Sequence, residues 1–165
     1  MINFSSILNT LNLLDREYGA AIGVDLPQLY SKLAVLEFTG WIEVSFDTLC
    51  ADYINGHVVD SGNQTKIRQI VSNNYGFKFD TNIFPMMCSV LGINNWENIL
   101  DAFPTADLFN MKAVLGNYKA ERDRAAHNNT ISGVTPSFRT PSTVIVDYNK
   151  LKPAFQYLEA AIRAL

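Results

Sequence analysis

Apolar residues recur at steps of three and four along most of the chain, the spacing of helices that bury one face. Phe4, Ile7, Leu8, Leu11 and Leu14 form such a face over residues 4–18. "GVDLP" interrupts the pattern, and Pro27 suits the first turn of the next helix, with Asp25 or a neighbour as cap. Residues 27–54 predict the longest helix. Val35, Ile42, Phe46, Leu49 and Tyr53 make one stripe on it, and Leu29, Leu33, Leu36 and Val44 populate another side. A helix apolar on several sides belongs at the centre of a bundle.

Further along, "NGHVVDSGNQ" reads as a turn, with His57 exposed in it, and "QTKIRQIVSNNYG" as a short helix ending near Gly76. "DTNIFPMMCSVLG" and "NWENILDAF" are apolar pieces broken by Pro85, Gly92 and Asn94–Asn95, which predicts one or two short helices. Residues 106–127 carry Leu108, Met111, Leu115 and Tyr118 on one helical face. "NNTISGVTPSFRTPS" reads as a loop and "TVIV" as a brief strand or extended connection. The last helix is expected over 149–165, with Leu151, Phe155, Leu158, Ile162 and Leu165 inward. Pro153 fits there if Asn149 is the cap; otherwise it kinks the helix. The expectation is one all-α domain over residues 1–165, a compact bundle of five to six helices.

Composition narrows the class. A hydrophobic fraction of 48% against 18% charged residues is that of a folded domain, not of a disordered chain. A net charge of -3 gives no general attraction to nucleic acid, so an RNA contact needs a local basic patch. "KAERDR" supplies one in Lys119, Arg122 and Arg124. Cys50 and Cys88 stand in apolar surroundings, with no CxxC and no histidine nearby, so they read as reduced core thiols and no metal site is expected. No cofactor is expected either. The apolar N-terminus lacks a basic leader, and no run is long enough to span a bilayer; both point to a cytoplasmic protein without membrane contact. Trp41 and Trp96 read as core or interface residues.

The chemistry concentrates in "ERDRAAHN", residues 121–128. On a helix Asp123 and His127 share a face, so the carboxylate can favour and orient the imidazolium. Arg124 is three positions from His127, and Arg122 is five away, roughly 140° around the cylinder. An arginine and a histidine suffice for RNA transesterification. RNA brings its own nucleophile, the 2′-hydroxyl; histidine moves the protons and guanidinium stabilises the charge on phosphorus. The competing reading of the same spacing is a solvated helix turn. Glu37 and Glu43, inside the long helix, either pair with Arg122 or face water.

"RDRAAH" resembles the signature of the HEPN superfamily: Arg, then Asn, Asp or His, a few residues, often Ala, then His. Arg122, Asp123, Ala126 and His127 match it position by position. The motif's place on a late helix, followed by a loop and a final helix, is similar to that family's arrangement. "LYSKLAVLEFTGWIEVSFDTLCADYI" resembles the long helix with a mid-helix Glu of the subgroup with ribonuclease-LS-like and RiboL-PSP-type domains. The resemblance extends over residues 5–165. It implies a metal-independent endoribonuclease acting as a homodimer, with both motifs in one cleft, in a toxin–antitoxin, abortive-infection or other antiviral role. His127 would be the acid/base, Arg122 the phosphate stabiliser and Asp123 the polar residue after it. Beside these, Lys119, Arg124 and Asn128 are the candidate RNA contacts, with a solvated helix face as the other reading of Lys119. The family also contains non-catalytic adaptors that bind nucleic acid, a nucleotide or a protein. One departure stands out. HEPN toxins paired with a nucleotidyltransferase antitoxin carry a modifiable Tyr two residues after the His, where this chain has Asn129, so any antitoxin would act differently.

Overall fold

The predicted periodicities become helices almost wherever they occur. A computed structural model describes residues 1–127 and 137–165, and these form seven α-helices and one π-helical turn, with no strand among them. The helices are α1 (Phe4–Ala20), α2 (Asp25–His57), α3 (Ser61–Ser72), α4 (Phe84–Leu91), α5 (Ile93–Asp101), α6 (Thr105–His127) and α7 (Pro141–Arg163); the π turn is Phe79–Ile83. The all-α class is as expected, with more helices than the five or six anticipated. Gly92, at φ 85°, splits the apolar stretch into α4 and α5, a conformation open to glycine at little steric cost.

Local signals account for the ends. The Asn3 side chain accepts from the Ser6 N–H at α1, and Asp60 from Asn63 at α3, each satisfying a backbone donor that the helix leaves free. Pro27 does lie in the first turn of α2, but no side chain caps that helix. His57 is the last residue of α2 rather than part of a turn; its exposed ring stacks on Tyr53 at 4.4 Å.

The largest correction is at α7, which starts eight positions before the expected cap at Asn149. "TVIV" is helical, not extended. Thr140 caps the helix and Pro141 opens its first turn, a strong start signal. Val144 and Tyr148 are then wholly buried, and that burial outweighs the β-branched preference for strands. Pro153 consequently lies inside α7, on an exposed face.

Helix α2 is the hub, packing on α1, α3, α4, α6 and α7. Val35, Ile42, Phe46 and Leu49 are buried as expected, whereas Val44 is 62% exposed. Trp41 joins three helices: its ring lies 6.0 Å from Phe4, 5.3 Å from Tyr148 and 5.1 Å from Phe155, and its Nε1 donates to the Asn3 carbonyl. Trp96 is fully buried on α5. Among the described residues no helix is long and apolar enough to cross a membrane.

Phe155, wholly buried, touches both Trp41 and Phe46. Phe155→Ala is expected to cost about 3–5 kcal/mol through lost burial and the cavity left behind, read as a lowered urea midpoint.

Candidate functional site

The angular order of residues on α6 decides what its motif can reach. Tyr118, Glu121 and Ala125 point inward and are buried. Arg122, one residue beyond Glu121, is turned about 100° to the flank that meets α2. Its Nη2 donates to both carboxylate oxygens of Glu43, at 3.2 and 3.4 Å, and its Nη1 approaches Asp123 Oδ1 at 3.4 Å. Glu43 is thus the carboxylate that pairs with Arg122, while Glu37 is exposed.

Asp123 is bound on its other oxygen by Lys119. That bond, with further help from Arg122, holds its carboxyl below the usual carboxylate range. The expected pairing of Asp123 with His127 is therefore not what the structure shows, because Asp123 turns toward the two cations nearest it. Arg124 is exposed. His127, the last residue of α6, is also exposed and has no hydrogen-bond partner among the described residues. Asn128, Asn129 and most of the expected loop lie outside the described residues. Within one chain, then, Arg122, Asp123 and Lys119 come together with Glu43, and His127 stands apart on another side of the helix.

Arg122 and Glu43 also line a cavity of about 220 Å³. Phe46 and Asp47 of α2, Val71 and Ser72 of α3, and Phe77 and Ile83 complete much of its wall, and Tyr75, 83% exposed, stands at its edge. Between α3 and the π turn the chain bends at Gly76, whose φ of +132° calls for glycine; an added Cβ would also lie 3.3 Å from the Asn82 side chain. Asn74 braces this bend by donating to the Gly76 carbonyl. Asp47 has no hydrogen-bond or ion-pair partner among the described residues. Asp47 is exposed, but desolvation by the cavity wall beside it, and then the charge of Glu43 one turn away, raise its pKa.

A second polar cluster was not foreseen from the sequence. Glu121, 5% exposed, accepts from the backbone N–H of Arg139 at 2.8 Å and from its Nε at 2.7 Å. Arg139 Nη1 reaches Asp147 Oδ2 at 2.9 Å, and its guanidinium covers the Tyr118 ring. Tyr118 donates to Asp147, and Lys150 pairs with the other oxygen of Asp147. Burial, and then the Asp147 charge, push the Tyr118 hydroxyl pKa well up. The signal available was Glu121 itself, a carboxylate three residues after Tyr118 and four before Ala125 on a stripe that had to face inward.

Cys50 offers no nucleophile, and Cys88 is half-buried rather than a core thiol as expected. Cys50 is buried, and burial with the nearby Asp47 charge pushes its thiol up to about 12. Among the described residues no three His, Cys, Asp or Glu side chains are grouped to hold a metal ion. No family model, curated protein or solved structure matches the chain.

Two outcomes are expected. Arg139→Ala leaves Glu121 buried without its cation and should cost about 3 kcal/mol or more; adding Glu121→Gln should recover part of it in the same denaturant titration. Asp47→Asn should stabilise the fold at neutral pH by about 0.2–0.5 kcal/mol, the scale of a like-charge pair one turn apart. The raised pKa of Asp47 means the folded chain holds that proton more tightly than the unfolded one. Its favourable contribution is complete below the normal carboxylate pKa and lost as pH rises through the raised one. Melting curves should therefore separate Asp47→Asn from wild type at pH 7 and merge at pH values where both carboxyls are protonated.

Proposed function

We propose that this protein is a metal-independent endoribonuclease of the HEPN type, cytoplasmic and homodimeric, acting in a toxin–antitoxin, abortive-infection or other antiviral system. One observation carries the reading: the arginine of the "RDRAAH" motif meets a carboxylate in the middle of the long helix, Glu43, at the wall of a cavity. The resemblance rests on that arginine and on a mid-helix Glu in the long helix, and the pair joins the two.

In this reading the 2′-hydroxyl of a ribose attacks the adjacent phosphorus. His127 takes the hydroxyl proton, and Arg122 binds the non-bridging oxygens as negative charge grows on them. The 5′-oxygen leaves with a proton returned by a histidine, giving a 2′,3′-cyclic phosphate and a 5′-hydroxyl. Arg122 and His127 diverge by about 140° on one helix, so the reading requires a second copy whose α6 faces the first. A cleft between copies then presents the arginine of one beside the histidine of the other. Lys119, Arg124 and Asn128 flank that motif as contacts for RNA.

A non-catalytic adaptor of the same family is the alternative, and a specific observation favours it. The Arg122 guanidinium already contacts Glu43 and Asp123, and a phosphate must displace or share these partners.

Purified wild type in EDTA is expected to cut cellular RNA into fragments with 2′,3′-cyclic phosphate ends. His127→Ala, whose side chain is exposed, should fold normally and lose activity by about 100-fold or more. Equal cutting by that variant would end the nuclease assignment of His127, and a folded, inert wild-type dimer would favour the adaptor.

A further inference from the structure

We infer that the cavity beside Arg122 is a base subsite that selects guanine. The inference rests on the nuclease reading for its biological role, but its chemistry stands on the cavity. At about 220 Å³ the space lies below the range of about 300–1,000 Å³ typical of pockets that enclose drug-sized ligands. It suits one flat ring system, not a whole nucleotide. Phe46 and Phe77 supply apolar wall, and the exposed ring of Tyr75 is available to stack on a base.

The polar lining then chooses among ring systems. Glu43 and Asp47 offer acceptors only, Ser72 and Asn74 already donate to the Gln69 and Gly76 carbonyls, and Asp47, exposed at the cavity's edge, has both oxygens free of partners among the described residues. Guanine is the base whose Watson–Crick edge presents two adjacent donors, N1–H and the 2-amino group, which match the two oxygens of one carboxylate. Adenine and cytosine place a ring acceptor beside their amino group, and uracil flanks its single N–H with carbonyls; each would set a lone pair against a carboxylate oxygen. A cationic ligand would satisfy the carboxylates but lie against Arg122. A neutral donor edge meets no such repulsion, and it also relieves the repulsion between Glu43 and Asp47. Arg122, which spends only some of its five N–H donors on Glu43 and Asp123, is then placed at the same cavity for the phosphate of that nucleotide.

The test uses the full chain and does not depend on cutting. Binding of guanosine, inosine and adenosine 5′-monophosphates is measured by calorimetry on wild type and Asp47→Asn. The guanosine nucleotide should bind at least tenfold more tightly than the adenosine one. Inosine, which lacks the 2-amino group, should fall between them, and Asp47→Asn should erase the preference while its melting curve stays cooperative. Cuts in RNA should map next to guanosine. Equal binding of all three nucleotides, or none by folded wild type, overturns the subsite whatever the protein does to RNA. Guanine-selective binding without RNA cleavage upholds the subsite and counts against the nuclease reading alone.

Discussion

A carboxylate buried on the inward face of α6 sets the geometry on which the rest of the motif depends. Glu121 is tolerable there because Arg139 meets it with a backbone N–H and a side-chain N–H at once, and a buried charge without such partners is strongly unfavourable. Arg139 then extends the contact to Asp147 on α7. The start of α7 is thereby tied to the last turns of α6, on either side of the interval between them. With Glu121 fixed inward, the one-residue rotation of a helix leaves no choice about its neighbours: Arg122 must turn to α2 and His127 away from it.

Placing Arg122 against Glu43 has two consequences that pull in opposite directions. The pair holds the guanidinium in a defined position at a cavity wall, which pre-organises it for an anion. It also supplies a competing anion, so a phosphate gains only the difference between its own interaction and that of the carboxylates. Both partners are partly exposed, at 35% and 31% for their side chains, and a pair so placed is screened and modest in strength. The carboxylate therefore orients the arginine without sequestering it. A chain with net charge -3 and such an arginine would not be expected to hold RNA tightly and indiscriminately; affinity must come from groups other than a general positive surface.

How much of this was readable in the sequence depends on the range of the interaction. α1, α2 and α6 could be placed from apolar spacing because that signal is complete within each helix. The beginning of α7 could not, since "TVIV" carries strand preference locally and its helix is decided by burial of Val144 and Tyr148 against distant residues. Glu37 and Glu43 were both plausible partners for Arg122. Six positions apart, they lie on different sides of α2, but spacing alone does not say which side faces α6. The pair formed spans 79 positions of sequence. The Glu121–Arg139 contact crosses a stretch read only as loop, and Asp47 drew no attention because nothing near it in sequence marks a cavity.

Like-charged side chains one turn apart on a helix are ordinarily a small liability, and here Glu43 and Asp47 both remain at a cavity that also holds an arginine. The fold uses Arg122 to offset one of them and leaves the other without a partner among the described residues. Around them the wall is built with some care: a glycine at positive φ, a braced asparagine and a π-helical turn, a feature frequent at functional sites. The fold thus gives up a little local stability beside a wall that needs a special backbone to form. Asp47 is exposed, so water meets its charge, and its carboxylate stays open to a donor group that enters the cavity.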